Sequence, residues 1–425
     1  MSQDSPTRID DHDINKGDLD KNALDVVHQL TEAGFDAYLV GGCVRDLLCH
    51  MKPKDFDVAT NATPTEVRQI FRRSRLIGRR FPIAHVRYGR DLIEVSTFRK
   101  AKHEDIETTD EGLIVSDTAF GNIADDAYRR DFTINALYYD VISHEIIDYV
   151  GGIEDIANKR LRFIGDPAER LAEDPVRYLR AIRFSAKLGF AIDEDVTAQV
   201  EDTADRMEAI SNARLFDEFL KLFLSGYGEA AWLQLRDTPL VYSLFPTCDP
   251  DSELVTDAMR NTDQRIAVES PVTPGFLVAV ILWPDFEARC RDQNPDNQPG
   301  LMHDLASDTL AMQQQHIAIP RRFSMFAREV WQLQPRLVSR QPRNIKRLLG
   351  HKRFRAAFDF LCLRSAESPE LKMCAEWWEQ IQEVDSDAQH AMIDELPRDA
   401  SKQRSGRSRK RKKSRGKRPP RMPNG

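Results

Sequence analysis

Apolar residues in the first 150 positions alternate between the spacing typical of helices and that typical of strands. They recur at helical spacing over 23–33, and a glycine follows where that helix would end. A short strand is predicted over 37–40, then a turn at Gly41 and Gly42, then a short helix over 44–49. The pattern therefore predicts a helix–strand–turn–helix unit near the amino terminus.

The next hundred residues add strand signals around one helix. Acidic and apolar residues alternate over 55–58, which predicts a second strand. A capping box with proline at the first helical position begins at Thr63 and opens a helix that runs to about residue 73. Two strands joined by a turn are predicted over 84–88 and 92–98, and the charged segment 100–118 is predicted to be a loop.

The pattern changes after Gly152, because helical spacing dominates from about residue 154 to residue 394 and the alternation of β-branched residues almost disappears. This order of elements predicts an α+β chain, with a head domain around a small mixed β-sheet over 23–152 and an all-helical part behind it. The Asp-rich segment 1–22 is predicted to be a disordered arm, and 397–425 a disordered tail.

Composition narrows the class of protein. Of the 425 residues, 41% are hydrophobic, which is enough apolar surface for a buried core and excludes wholesale disorder. No apolar run reaches the roughly 18–20 residues that span a bilayer, and the polar, acidic start does not resemble a signal peptide. These features predict a soluble cytoplasmic protein.

Charge is distributed unevenly along the chain. Residues 401–425 contain 12 Lys and Arg and no Asp or Glu, so the first 400 residues hold 49 basic and 68 acidic residues, a net charge of −19. An acidic body with a basic tail is typical of proteins that bind polyanions through the tail, and it predicts nucleic-acid binding. A solvated tail without a partner is the simpler alternative.

The glycine turn at 41 and 42 is a candidate phosphate-binding site. Two glycines after a strand allow a sharp turn and a close approach of the backbone to a ligand, and the following helix presents free N–H groups. Arg45 lies in the first turn of that helix, where its guanidinium can donate two hydrogen bonds to phosphate oxygens.

Asp55 and Asp57 are candidate metal ligands. At positions i and i+2 of a strand their carboxylates point to one face, and two hard oxygen ligands suit Mg²⁺ bound together with a triphosphate. In a chain with 30% charged residues an isolated Asp-x-Asp has little value, since two solvated strand residues explain it as well. Its position directly after the glycine turn and Arg45 makes the metal site the better interpretation.

Together these residues resemble the first motif of the class II nucleotidyltransferases of the polymerase-β superfamily, which comprise bacterial poly(A) polymerases and CCA-adding tRNA nucleotidyltransferases. Four further motifs of that family match in order. They are Arg129-Arg130-Asp131 with Asn135, Gly151-Gly152-x-x-Asp155, Glu173-Asp174-x-x-Arg177, and Ala213-Arg214-Leu215-Phe216. The resemblance runs from about residue 23 to beyond residue 220.

The resemblance implies a polymerase-β-like head, a helical neck over 153–225 that recognises the nucleotide base, and an RNA-binding body over 226–396. It implies that Asp131 is a catalytic aspartate close to Asp55 and Asp57, although a surface ion pair is the alternative for Asp131. It also implies that Arg130 lies near phosphate, and that the third motif forms a hinge between head and neck. Glu94 is a candidate third carboxylate, and a solvent-facing strand residue explains it equally well.

The fourth motif has two compatible interpretations. Asp174 followed by a proline is a good helix start, and Gly189 would end that helix. The family implies base recognition by Asp174 and Arg177: a carboxylate accepts from an exocyclic amine and a guanidinium donates to a ring nitrogen. Adenine and cytosine offer that pattern, whereas guanine and uracil do not, so the pair fits both ATP and CTP.

Other segments favour ATP as the substrate. Residues 76–86 resemble a segment that marks bacterial poly(A) polymerases, and the basic tail suits a polymerase that acts on many unrelated RNA 3′ ends. We therefore interpret the sequence as that of a template-independent, Mg²⁺-dependent polynucleotide adenylyltransferase. A CCA-adding enzyme is the first alternative, and a catalytically inactive RNA-binding protein is the second. RNA-degradation or RNA-chaperone proteins are candidate partners.

Removal of residues 401–425 is predicted to weaken RNA binding, and to do so more at low salt than at high salt, because contacts with phosphate are screened by ions. RNA affinity of the full-length and truncated chains at two salt concentrations measures this effect. Equal losses at both concentrations would contradict a tail that follows the phosphate backbone.

Overall fold

The computed structural model describes residues 5–78, 82–100, 107–108, 114–116, 120–293, 300–366 and 368–396. The predicted basic tail and the arginines of the 76–86 segment, at 79 and 80, lie outside these ranges. The chain divides into two compact units, Met1–Arg328 and Glu329–Gly425. The predicted boundaries of head and neck fall inside the first unit and stay predictions, and the division between the units falls inside the predicted body.

The first unit is built on one mixed sheet of eight strands. They are β1 (Thr7–Ile9), β2 (Ala37–Val40), β3 (Asp57–Thr60), β4 (Ser74–Ile77), β5 (Ile83–Tyr88), β6 (Asp91–Thr97), β9 (Leu137–Asp140) and β10 (Glu145–Asp148). Their order in the sheet is β1-β10-β9-β2-β3-β6-β5-β4; the pair β3–β6 is parallel, and the other neighbouring pairs are antiparallel. Two further pairs are β7 (Glu107–Thr108) with β8 (Ile114–Ser116), and β11 (Arg160–Leu161) with β12 (Ala191–Ile192).

Helices make up most of the remaining regular structure of the described chain, as the spacing predicts, and the α+β fold class is confirmed. In the first unit they are α1 (Lys21–Glu32), α2 (Gly42–Leu48), α3 (Pro64–Ile70), α4 (Ile123–Arg129), α5 (Gly152–Ala157), α6 (Pro167–Glu173), α7 (Val176–Leu188), α8 (Glu194–Thr197), α9 (Val200–Arg206), α10 (Asn212–Phe223), α11 (Gly228–Arg236), α12 (Leu240–Leu244), α13 (Glu253–Ala267), α14 (Pro274–Ile281), α15 (Trp283–Gln293) and α16 (Leu301–Gln313). Then follow α17 (Arg321–Ser339), α18 (Ile345–Leu349), α19 (Phe354–Arg364), α20 (Pro369–Glu383) and α21 (Ser386–Asp394). Short 3-10 helices occupy Lys16–Asp18, Thr133–Asn135, Met207–Ala209 and Pro342–Asn344.

The two faces of the sheet differ in their cover. One face packs Val58, Val86 and Ile93 against α1 and α3 in a continuous apolar core. On the other face, Val40 and Tyr138 belong to a smaller apolar cluster around β2, β9 and β10. Because side chains alternate along a strand, the outer strands β6, β5 and β4 present polar residues on this second face.

The expected disordered arm over 1–22 is wrong for its described part. Residues Thr7–Ile9 form β1, which pairs with β10 at the edge of the sheet. Ile14 and Leu19 are buried in the head core, and Asp20 accepts hydrogen bonds from two backbone N–H groups at the start of α1. A few apolar residues and an unpaired strand edge are therefore enough to order a segment whose composition is mostly polar.

The second predicted strand begins later than the alternation indicates. The strand β3 starts at Asp57, which is in register with Val40 on one side and Glu94 on the other. Asp55 precedes it and is exposed, so the two aspartates are not i and i+2 of one strand. Asp57 is the first residue that is paired with both neighbouring strands, so the alternation of acidic and apolar residues begins two positions before the strand itself.

The second unit has an apolar core of its own, in which Leu337, Phe358 and Trp378 are buried together. Helix α20 is tied to α17 by the Trp378 indole, whose N–H donates to the carbonyl of Leu337 at 2.9 Å. Among the described helices of both units, none combines the length and the apolar character that a membrane crossing requires.

Gly152→Ala is predicted to destabilise the first unit, because a Cβ at this position would lie 2.4 Å from the carbonyl oxygen of Thr133. Backbone atoms would have to shift, and overpacking of this kind costs about 1–3 kcal/mol. Urea unfolding of the variant and the parent measures the loss. Gly17→Ala is the matched control, since nothing lies within 4 Å of its added Cβ, and an equal loss there would contradict the steric explanation.

Candidate active site

The turn after β2 adopts the conformation that its glycines suggest. Gly41 has φ 76° and ψ −122°, a region that side chains rarely allow, and its N–H donates to the carbonyl of Leu137 at 3.1 Å. An added Cβ would lie 3.2 Å from Nη1 of Arg130. The glycine therefore permits the turn and brings the Arg130 guanidinium against the start of α2, beside Gly42.

Carboxylates gather beside this turn. Asp57 is partly buried, and Glu94, its register partner on β6, points to the same face of the sheet. Burial raises the pKa of the Asp57 carboxyl to about 6, the charges of Glu94 and Asp55 raise it as well, and the charge of Arg130 opposes them. The structure thus brings together Asp55, Asp57 and the candidate Glu94, with Arg130 as a nearby positive charge.

The arrangement of these carboxylates suits a cation that also binds a second molecule. Mutual repulsion of the carboxylates disfavours their charged forms, and a divalent cation would relieve it. No group of three His, Cys, Asp or Glu side chains among the residues that the structure describes forms a ready-made cation site. A metal at this place would therefore need additional oxygen ligands, from water or a phosphate.

Arg45, the predicted phosphate ligand, is held by other side chains of the protein. Its guanidinium is buried and donates through Nε and Nη2 to Oδ1 of Asp46, at 2.9 and 2.6 Å, and through Nη1 to Oδ1 of Asn135 at 2.6 Å. All three nitrogens have protein partners, which favours a supporting role for Arg45, and its contact with phosphate stays a prediction. The reason is the orientation of α2, whose buried face carries Arg45 towards the 3-10 helix that contains Asn135.

Arg130 lies beside the glycine turn, and its contact with phosphate stays a prediction. Nη2 donates to Oδ2 of Asp126 at 2.9 Å, Nε donates to the same oxygen and to the Tyr138 hydroxyl, and Nη1 donates to the carbonyl of Asn135. The side chain keeps 23% of its surface exposed. These bonds hold the guanidinium rigidly between the glycine turn and Asp57.

Asp131 contacts Asn135 of the 3-10 helix and Arg180 of α7, and its expected place beside Asp55 and Asp57 stays a prediction. Its Oδ1 accepts from the N–H of Phe132 and from Asn135, and its Oδ2 forms an ion pair with Arg180 of α7. Burial alone would raise the pKa of this carboxyl, but Arg180 and the hydrogen bonds hold it below the usual value. These contacts hold the Asp131 carboxylate in place, and its catalytic role stays a prediction.

The predicted base-recognition pair lies at the start of α7. Oδ2 of Asp174 accepts from Arg214 of the fifth motif at 2.6 Å, and Arg177 donates to Glu173 at 2.9 Å and to the carbonyl of Arg170. Gly189 ends the helix in a left-handed conformation, as expected. Each member of the pair is thus oriented by a different protein group, and both side chains remain partly exposed.

Helix α7 is fixed to the head along its length, through residues to which the motifs assign no role. Arg180 pairs with Asp131, the Phe184 ring lies 4.8 Å from the Arg45 guanidinium and 5.4 Å from the Phe132 ring, and Lys187 donates to Asp46 at 2.7 Å. Their spacing from Arg177 follows one face of a helix. In the sequence, only this helical spacing indicates that Arg180, Phe184 and Lys187 share one face of α7. The spacing does not predict which residues of the head they contact.

The third motif forms a buried network in the structure. The Asp155 carboxylate is completely buried and accepts from the Thr133 hydroxyl at 2.6 Å, from Arg160 at 2.9 Å and from Arg162 at 3.0 Å. These bonds tie α5 to β11 and to the 3-10 helix beside the site. Whether this motif also acts as the predicted hinge stays a prediction.

Comparison with known proteins gives consistent matches. Family models described as "Poly A polymerase head domain", "Probable RNA and SrmB-binding site of polymerase A" and "Polymerase A arginine-rich C-terminus" match residues 37–162, 189–251 and 297–418. Poly(A) polymerase I of Salmonella typhimurium is 43% identical, covering 94% of this chain and 90% of the relative. A CCA-adding enzyme of Lactobacillus helveticus is 37% identical over 51% of this chain and 53% of its own. The crystal structure of the Bacillus stearothermophilus CCA-adding enzyme in complex with CTP has the same fold, with a TM-score of 0.58, 24% identity, and coverage of 84% of this chain and 82% of that one.

Asp131→Asn is predicted to lower the stability of the protein at pH 7 by about 2 kcal/mol, since it leaves Arg180 without its buried partner. Because the folded pKa of Asp131 lies below the unfolded value of about 3.9, its contribution is complete above that pH and is lost as the pH falls through the folded pKa. Urea unfolding at pH 7 and at pH 3.5 measures the difference. Asp202→Asn, at an exposed position of α9, is the control, and a deficit for Asp131→Asn that is equal at both pH values would contradict the ion-pair explanation.

Proposed function

The chain belongs to the poly(A) polymerase family, and from that membership together with the site geometry we propose that it adds AMP from ATP to RNA 3′ ends without a template and releases pyrophosphate. The observation that carries this proposal is the extent of the similarity. Relatives named poly(A) polymerase I align over 94% of the chain, whereas the CCA-adding enzyme of Lactobacillus helveticus aligns over 51%. The similarity to poly(A) polymerases thus includes the part behind the neck.

In the proposed complex the ATP triphosphate lies against the glycine turn. Gly41 and Gly42 allow a close approach of the backbone, and Arg130, held by Asp126 and Tyr138, neutralises phosphate charge from a fixed position. Arg45 supports this turn from within, through Asn135 and Asp46, rather than by touching the nucleotide.

Asp55 and Asp57 are the proposed ligands of Mg²⁺, and Glu94 is placed to contribute a further oxygen or an outer-sphere contact. The fit rests on the position of Glu94 and Asp55 beside Asp57, whose pKa is raised by burial and, in addition, by the charges of those two carboxylates. When bound, Mg²⁺ supplies charge neutralisation for the triphosphate and activation of the attacking hydroxyl. Asp57 is the first residue of β3, a strand in the interior of the sheet, and Asp55 lies just before it.

The base of the nucleotide lies against the start of α7 in this proposal. Asp174 accepts from the exocyclic amine while its other lone pairs keep the Arg214 contact, and Arg177 donates to the ring nitrogen while Glu173 orients it. Arg180 and Lys187 fix α7 to the head, so the base and the triphosphate are held in one geometry. The RNA 3′-hydroxyl then attacks the α-phosphorus, the bond to the leaving pyrophosphate breaks, and the rate comes from positioning and electrostatics.

The alternatives are set apart by particular observations. A CCA-adding enzyme is consistent with the fold and with Asp174 and Arg177, which suit both ATP and CTP. The CCA-adding relatives, however, match only about half of the chain. An inactive RNA-binding protein would not need the carboxylates beside the Arg130 guanidinium. A cytoplasmic location, and recruitment of RNA-degradation or RNA-chaperone proteins, stay predictions.

Incubation with each labelled nucleotide, on an unstructured RNA and on tRNA lacking its CCA end, tests the proposal. We expect long tails of A alone on the unstructured RNA. Incorporation of CTP restricted to tRNA would establish the CCA-adding alternative, and no incorporation by the parent chain would establish the inactive one. Asp57→Ala and Asp55→Ala are each expected to lower the rate by about 100-fold or more with little change in RNA affinity.

Asp202→Ala is the matched control, since this exposed carboxylate of α9 has no place in the site. It should leave both the rate and the RNA affinity unchanged. Full activity of Asp55→Ala or Asp57→Ala would contradict the metal assignment for that residue.

A further inference from the structure

A cleft rich in arginine lies at the outer edge of the sheet, away from the glycine turn. It has a volume of about 410 Å³ and is lined by residues that include Arg72, Arg73, Arg75, His85 and Arg87. We call this the arginine cleft. It lies on β4, β5 and the turn before β4, and no part of the mechanism above uses it.

The arginine cleft shares one face of the sheet with the carboxylates of the active site. Asp57 is in register with Glu94, Glu94 with His85, and His85 with Arg75, across the strand order β3-β6-β5-β4. Residues in register point to the same face, so these side chains form one row across four strands. Three steps of about 4.8 Å place Arg75 about 14 Å from the Asp57 position.

The cleft carries positive charge that the described carboxylates leave largely unpaired. Arg72, Arg75 and Arg87 are exposed, and none of them forms an ion pair with a carboxylate in the described part of the chain. Arg73 differs, because it lies 4.0 Å from the centre of the Tyr88 ring and 3.8 Å from Asp25. Since the first 400 residues have a net charge of −19, three unpaired arginines at one place point to an anionic ligand.

Apolar surface lies between these charges. Leu92 and Ile77 also line the cleft, and their side chains are 45% and 49% exposed. A surface that offers guanidinium groups for phosphates and exposed apolar side chains for bases or ribose suits a single nucleic-acid strand better than a small inorganic anion.

We infer that the arginine cleft binds the phosphate backbone of the RNA substrate, upstream of the 3′ end that occupies the active site. This inference rests on the proposed function. The row of side chains gives the path: the reacting end lies at Asp57, and the preceding nucleotides run across β6 and β5 to Arg75 and Arg87. Contact with the backbone holds unrelated RNA sequences equally, since phosphates carry no sequence information.

The double variant Arg75→Gln/Arg87→Gln tests the inference with two primers, a ten-nucleotide oligoadenylate and the dinucleotide ApA. For the ten-nucleotide primer we expect KM to rise about fivefold to tenfold and the dependence of log affinity on log salt to weaken by about 1.4, the value for two phosphate contacts of a single strand. For ApA, which is too short to reach the cleft, kcat/KM should stay unchanged, as should KM for ATP.

Arg68→Gln/Arg206→Gln removes two exposed arginines elsewhere in the same unit and is the matched control. Arg75→Lys/Arg87→Lys keeps the charge, and it should retain most of the affinity for the longer primer even if the glutamine variant folds poorly. An unchanged KM and salt dependence with the ten-nucleotide primer would overturn the inference, and so would an equal loss with both primers. If the parent chain itself transferred no AMP, the proposed function would fail before this comparison.

Discussion

The ion pairs that fix helix α7 to the head determine the geometry of the whole site. Arg180 with Asp131, and Lys187 with Asp46, join two parts of the chain that are far apart in sequence. Between these pairs, Phe184 packs against the Phe132 ring. Since α7 begins with the residues proposed to recognise the base, its attachment sets where a base lies relative to the glycine turn.

These pairs are effective because their carboxylates, Asp131 and Asp46, are largely shielded from water. Asp46 is 4% exposed and is shared by Arg45 and Lys187, so one carboxylate compensates two cations at the contact between α2 and α7. A pair in such surroundings is costly to break, because the remaining charge would stay buried without a partner. Arg45 and Asp131, which family motifs associate with the reaction, both form contacts of this kind.

Electrostatics also divides the open face of the sheet. Near β3 the face is acidic and suits a cation bound with a triphosphate, whereas near β4 it is basic and suits a polyanion. His85 lies between the two regions, with Nε2 3.5 Å from Glu94. The order of the strands sets this gradient of charge. Strand β6 lies beside β3 in the sheet, although β4 and β5 come between them in the chain, so β4 is the strand farthest from β3.

The amino-acid sequence by itself determined the class of fold, the glycine turn and the capping box at Thr63, and it identified the candidate site residues. Such features follow from local spacing and from residue types that occur together. Examples are the capping box at Thr63 and Gly41, which permits the positive φ of the turn. Only the tertiary structure decided what each charged side chain touches. Arg45 donates to Asn135, and Asp131 pairs with Arg180. The partners in these contacts come from distant segments of the chain, and packing brings those segments together. The spacing of residues in the sequence therefore does not predict the contacts.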